Sequence, residues 1–114
     1  MIVKDIVTLL DAHYVNNSGL ENENYDVAFA SDLMSDVLTI DIPNVLLITG
    51  LANIQTIRTA DMAEIKCIVL GRNKKATPEM IELAQENEIT IIECAYSLFH
   101  ICGLLYNEGI DPLY

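Results

Sequence analysis

The chain is short of positive charge, of cysteine and of long apolar runs, and each shortage removes a class of function. Six Lys and Arg face seventeen Asp and Glu among 114 residues, a formal net charge of −11. A field of that sign repels phosphodiester backbones and anionic headgroups, so nucleic acid and membrane surfaces are not expected partners. No apolar run reaches the roughly 20 residues that span a bilayer. The opening segment MIVKDIVTLLDAHY carries Asp5 and Asp11, which does not fit a signal peptide. Three cysteines, Cys67, Cys94 and Cys102, form an odd set with no pairing pattern. A reducing cytoplasm is therefore the expected compartment. There is no CxxC, no HxxxH, no GxGxxG, no GxxxxGK and no Ser-His-Asp arrangement. These gaps leave no metal, cofactor or catalytic motif to build on.

What is there describes one core. The chain is 52% hydrophobic, with a mean hydropathy of +0.32 and a mass of 12.7 kDa, which excludes disorder. Surface scaling buries about two-thirds of such a chain on folding, enough for a single domain over residues 1–114. The apolar excess for this length predicts some apolar surface covered by a second copy, a homodimer.

Val3, Ile6, Val7 and Leu10 stand at i, i+3, i+4 and i+7, an amphipathic helix. His13, Tyr14 and Val15 read as a short strand. Residues 16–24 form a polar loop with Gly19 as its turn. Tyr25, Val27 and Phe29 alternate with Asp26 and Ala28 in a strand. SDLMSDVLTI then reads as a helix capped by Ser31 or Asp32, burying Leu33, Met34, Val37 and Leu38. VLLIT, KCIVL and ITIIEC are continuous apolar runs of strand length, as in strands buried on both faces. Between them lie a helix capped by Asn53 and one capped by Thr77 with Pro78 in its first turn. A last helix over residues 96–107 places Leu98, Ile101, Cys102 and Leu105 on one face and stops at Gly109.

Strands near 26, 46, 68 and 90, each followed by a helix, predict an α/β, three-layer fold. The expected sheet is mainly parallel, of four to five strands, with helices on both faces. Ligands of such sheets bind beyond the carboxyl ends of the strands. Those ends are Ala30-Ser31-Asp32, Thr49-Gly50-Leu51, Gly71-Arg72-Asn73 and Glu93-Cys94-Ala95.

ASDLMSDVL, the stretch LLITGLANIQTIRTADMAEIKCIVLGRNKKATPEMIELA and YSLFHICGLLY resemble the DRTGG domain over nearly the whole chain. More narrowly they resemble small stand-alone DRTGG proteins encoded beside iron-only hydrogenase genes in anaerobic bacteria. The domain is also similar to the N-terminal domain of HPr kinase/phosphorylase, to an insert of CBS-domain pyrophosphatases and to a module of some phosphotransacetylases. The resemblance implies a compact α/β domain, often dimeric, with a regulatory or sensing role and no established catalysis. The namesake Asp-Arg-Thr-Gly-Gly stretch is absent. NENYDVAFASDL has neither an Arg nor a Gly pair, so no ligand role of that motif carries over.

Five groups of residues carry chemistry. The turn from Thr49 through Gly50 to Asn53 can bring backbone N–H groups to an anion, or be an ordinary capped turn. Arg58 and Gln55 lie on the following helix, where Asp61 is an i+3 partner for Arg58. Arg72, Lys74 and Lys75 put half of all basic residues in four positions, an attractor for an anion or a solubilising loop. Cys94, near a helix start, is a candidate low-pKa thiol, although His100 and Cys102 point to different faces and make no metal site with it. Asp26, Asp32 and Asp36, the last two at i and i+4, are a candidate carboxylate set or a solvated face. The expected ligand-binding set is Thr49, Gly50, Asn53, Gln55, Arg58 and Arg72, at the turns after two neighbouring strands. The expected function is a non-catalytic regulatory domain that binds a small anionic ligand, a nucleotide among them, or a hydrogenase-related protein. The alternatives are a small enzyme using Cys94 or Asp32/Asp36, and a scaffold for a hydrogenase assembly.

Overall fold

Apolar stretches alternate with amphipathic ones along the chain, and folding converts that alternation into one sheet between two helical layers. The computed structural model describes residues 1–16 and 19–114. The elements are α1 (Val3–Leu9), β1 (His13–Tyr14), β2 (Val27–Ala30), α2 (Met34–Val37), β3 (Val45–Thr49), α3 (Ile54–Met62), β4 (Cys67–Leu70), α4 (Pro78–Glu86), β5 (Thr90–Glu93), α5 (Leu98–Asn107) and β6 (Asp111–Pro112).

The spatial strand order is β1-β5-β4-β3-β2-β6. From β2 to β5 each strand pairs in parallel with the next in sequence, so the sheet grows in one direction. Right-handed crossovers then put α2, α3 and α4 on the same face. The step from β5 to β6 runs back past β4, β3 and β2 and places α5 on the other face, the one that α1 covers. The two cores confirm this division. Val37, Ile57, Ala60, Met80 and Ala84 pack on Val45, Leu47, Ile68, Leu70 and Ile91. Val3, Ile6, Leu10, Ile101 and Leu105 pack on Leu46, Ile48, Cys67, Val69 and Ile92. Successive residues of β3 and β4 serve opposite cores, which is why both faces of these strands had to be apolar.

Two features differ from the expected sheet. It has six strands, not four to five, because β6 adds beside β2 in parallel. It is mixed, because β1 runs antiparallel to β5, pairing His13 with Glu93 and Tyr14 with Ile92. The expected helix over residues 31–40 is also corrected. Only Met34–Val37 is α-helical, and the chain then tightens into i→i+3 bonds from Thr39 N–H to Asp36 and from Ile40 N–H to Val37. This segment lies toward the β2 end of the sheet, so Val37 is buried while Leu33 and Leu38 stay about half exposed. Neither Ser31 nor Asp32 caps it: the N-cap is Leu33, whose N–H bonds Ser31 Oγ at 3.0 Å.

The other local expectations agree with the structure. Asn53 Oδ1 accepts the N–H groups of Gln55 and Thr56, and Thr77 Oγ1 accepts that of Met80. Ser97 caps α5, and Gly109 follows it with φ +98°. In the loop expected over residues 16–24, Gly19 has φ +80°, and positions 17 and 18 lie outside the described residues. No helix among the described residues is long and apolar enough to cross a membrane.

Candidate functional site

At the carboxyl edge the ladder continues one step beyond each strand. Ser31 N–H donates to Ile48 O, Gly71 N–H to Thr49 O and Cys94 N–H to Leu70 O, at 2.8 to 3.0 Å. The turns after β2, β4 and β5 are thereby held in register, and Gly50 and Gly71 come side by side as the parallel pairing of β3 with β4 requires.

Asp32 is the centre of what they build. Its Oδ1 accepts the Gly50 N–H at 2.7 Å and the Thr49 hydroxyl at 3.0 Å. Its Oδ2 lies 3.3 Å from Arg72 Nη2. The same guanidinium donates to Gly50 O at 3.1 Å. Thr49 is fully buried and also accepts the Leu51 N–H. The Arg72 and Asp32 side chains remain 47% and 40% exposed, so the pair is partly screened by water and contributes little to stability. Three donors of different kinds, an amide, a hydroxyl and a guanidinium, thus converge on one carboxylate at the protein surface. That is the donor set an external oxyanion would need.

The Arg72 side chain reaches this position through an unusual backbone. Arg72 and Asn73 both have φ +58°, with Lys74 N–H bonded to Gly71 O at 3.2 Å. Positive φ at both central residues is the pattern of a type I′ turn, which normally selects Asn, Asp or Gly. An arginine in the left-handed region costs about 1–2 kcal/mol. The turn is held by Arg72 N–H on Tyr96 O at 2.8 Å and Asn73 N–H on Cys94 O at 3.1 Å. These bonds fill the crevice between β4 and β5 with the protein's own backbone. That crevice is the switch point of the sheet, where α4 and α5 leave on opposite faces and where such folds often bind ligands.

Gly50 is required by the close approach of the arginine. A Cβ there would stand 2.2 Å from Arg72 Nε and 2.6 Å from Nη2. Behind it, Glu93 at the end of β5 is nearly buried. Its carboxylate accepts the Ala76 N–H at 2.7 Å, lies 2.9 Å from His13 Nε2, and has Lys75 Nζ at 3.8 Å. Lys74 is exposed beside them.

Of the expected set, Thr49, Gly50 and Arg72 are brought together, with Asn53 and Gln55 at the adjoining start of α3. Arg58 is exposed and makes no ion pair with Asp61; among the described residues the ion pairs involve His13, Arg72 and Lys75 only. Asp32 lies outside α2, so the expected i, i+4 pair with Asp36 does not form. Cys94 is buried, with Sγ 3.3 Å from Leu10 O. Burial pushes its thiol up; the Tyr96 N–H lowers it and Asp11 raises it further. The expected low-pKa thiol is therefore overturned. Burial also raises Cys102, and pushes Cys67 up to about 12. His100 stacks on Tyr96 with ring centroids 4.1 Å apart, and among the described residues no three His, Cys, Asp or Glu converge on a metal position.

Sequence reasoning missed the role of Asp32. An acid directly after a strand reads as a helix cap, and only the parallel pairing of β2 with β3 carries it to Gly50. Two hollows lie away from this cluster. An apolar one of about 370 Å³ sits beneath α5, lined by Ala28, Ala30, Phe99, Gly103 and Pro112 among others. A polar one of about 440 Å³ lies at the opposite sheet edge, among Glu23, Asn24, Asp26 and Asn44.

The family model of the DRTGG domain matches residues 5–107. Among solved structures, the chain is similar to the CBS and DRTGG domains of the regulatory region of Clostridium perfringens pyrophosphatase, complexed with its activator, diadenosine tetraphosphate. The TM-score is 0.74 at 16% identity, over 90% of this chain and 45% of that one. The chain thus spans less than half of that regulatory region. No curated protein matches.

Proposed function

The chain belongs to the DRTGG-domain family, and from that premise we propose that it is a non-catalytic regulatory domain that binds a small phosphate-bearing anion at the carboxyl edge of its sheet. It works in the cytoplasm as a homodimer. The observation that carries the reading is the convergence of Gly50 N–H, Thr49 hydroxyl and Arg72 guanidinium on the Asp32 carboxylate. In this reading Asp32 holds the donors in place while the site is empty, and an oxyanion of the ligand replaces it. Arg72, Lys74 and Lys75 supply attraction in a chain that otherwise repels anions. The start of α3, with Asn53 and Gln55, borders the position the rest of the ligand would take. A nucleotide is the favoured class, because the similar pyrophosphatase region is complexed with a dinucleotide activator. A link to hydrogenase or redox metabolism rests on the sequence resemblance alone.

Displacement of Asp32 has a natural output. Asp32 lies two residues before α2, a single helical turn with Leu33 and Leu38 partly exposed. Freeing the carboxylate loosens the lead into α2 and alters the apolar surface it presents.

A catalytic reading loses its candidates, since Cys94 is buried with a raised pKa and Asp32 is held apart from Asp36. The protein-partner reading has its own observation, the exposed aromatic face of α5.

The test is calorimetric titration of ATP, diadenosine tetraphosphate and pyrophosphate into the wild type and into Arg72→Ala, Arg58→Ala and the double variant. Binding by the wild type, weakened more by Arg72→Ala than by Arg58→Ala, supports the site. Equal binding by the wild type and the double variant removes it.

A further inference from the structure

Helix α5 is apolar on two sides. Ile101 and Leu105 face the core. On the outward side Phe99 is 89% exposed and Tyr106 is 70% exposed. Positions 99, 102, 103 and 106 follow the i, i+3, i+4, i+7 spacing that places them on one stripe. None of the ten residues of LFHICGLLYN is Asp, Glu, Lys or Arg, in a chain with seventeen acids and six bases.

The apolar hollow of about 370 Å³ opens beside this stripe. It exists because small residues line both its walls. The strand β2 offers only the methyl groups of Ala28 and Ala30 there, where the neighbouring β3 offers Leu46 and Ile48. Gly103 forms part of the opposite wall, and a Cβ there would meet nothing within 4 Å. A dry cavity of about 150 Å³ suffices to hold benzene, so this one admits a phenyl ring. One face of the molecule thus carries both a protruding ring and a hollow that fits it.

We propose that this face is the homodimer surface, with Phe99 of each copy seated in the α5–β2 hollow of the other across a two-fold axis near Gly103. The inference rests on the homodimer reading above and assigns its location. A knob and a hole on the same patch satisfy the self-complementarity that a two-fold contact demands. The glycine between the two aromatic residues lets the paired helices approach closely.

Charge leaves this patch as the place where two copies can meet. Two chains of charge −11 repel over most of their surfaces. Here they meet across a patch with a single ionised lining residue, Asp111. Area agrees as well. Phe99 and Tyr106 together expose roughly 300 Å² per copy. That is more than a third of the roughly 800 Å² each partner buries in a standard interface.

The experiment is sedimentation equilibrium on the wild type, Phe99→Glu and Tyr114→Glu. Tyr114 is 91% exposed but lies against Phe29, on the other side of the sheet. The expected result is a dimer for the wild type and for Tyr114→Glu, and association weakened at least 100-fold, toward monomer, for Phe99→Glu with an unchanged circular dichroism spectrum. Gly103→Cys in a Cys102→Ser background, oxidised under dilute conditions, should give a cross-linked dimer that Cys102→Ser alone does not give. A wild-type monomer at high micromolar concentration overturns the proposal together with the homodimer reading. A dimer that survives Phe99→Glu, with no cross-link through Gly103→Cys, overturns the location and leaves the homodimer standing.

Discussion

Replacing Gly50 by alanine separates what the carboxyl-edge cluster does for stability from what it does for binding. The backbone of Gly50 is not in the left-handed region, so alanine meets no conformational penalty. Its methyl group would occupy the place of the Arg72 guanidinium, whose Nε lies 2.2 Å from the Cβ position, so the arginine must lift away. Two interactions go with it. The hydrogen bond to Gly50 O contributes about 0.5–1.5 kcal/mol. The ion pair with Asp32 contributes about 1 kcal/mol at most, because both side chains are more than a third exposed. Alanine returns about 0.4–1 kcal/mol by restricting the unfolded chain. The net loss is about 0–2 kcal/mol, and thermal unfolding should shift by no more than roughly 15 °C, nearer zero if the two terms balance. Binding should respond more selectively. A charge-assisted hydrogen bond is worth about 1.5–3 kcal/mol, so affinity for a phosphate-bearing ligand should fall about 10- to 100-fold. Differential scanning calorimetry gives the first quantity and titration calorimetry the second. A Gly50→Ala variant that binds like the wild type refutes the claim that Arg72 acts from above Gly50.

The remaining predictions concern the core, the thiols and a helix cap. Leu47→Ala removes a fully buried side chain from the middle of β3 and should cost about 2–5 kcal/mol, measured by urea denaturation. Burial of Cys67 holds its thiol at about 12, against 9.0 in the open chain. The folded form therefore keeps its proton where the unfolded form loses it. That contribution is complete below pH 9 and disappears as pH rises toward 12; Cys67→Ala should flatten the alkaline fall in melting temperature. Asn53→Ala leaves the Gln55 and Thr56 N–H groups without their acceptor and should cost about 0.5–2 kcal/mol. A loss no greater than that of an exposed control would show that solvent replaces the cap.

The sequence made the centre of the fold legible because β3, β4 and β5 are buried on both faces, and continuous apolar runs have few other uses. Asn53, Thr77 and Pro78 marked their helices because capping is a local matter of three or four residues. The sheet margins were not legible. Asp111–Pro112 has neither length nor alternation, and it pairs with a strand more than eighty residues away. His13–Tyr14 read as a strand, but its antiparallel direction follows from where α1 must lie. Leu33 and Leu38 completed a helical stripe on paper, yet the segment lies toward the β2 end of the sheet with too little protein beneath it to bury them. At the site, Thr49, Gly50 and Arg72 could be placed together from strand adjacency. Asp32 could not, because its partners belong to two other turns. The left-handed turn carried no clear signal either: Asn73 suits it, but Arg72 at the first central position does not.

The central claim is that the donors now gathered on Asp32 accept an external anion, and backbone amide shifts on titration test it most directly. With isotopically labelled protein and a phosphate-bearing ligand such as ATP, the largest shifts should fall on the amides of Gly50 and Leu51 and of Gly71 to Asn73. Asp32→Asn, which weakens the internal competitor, should reach the same shifted positions at lower ligand concentration. Saturable shifts confined to α5 and β6, or binding abolished by Asp32→Asn with its fold intact, would contradict the account.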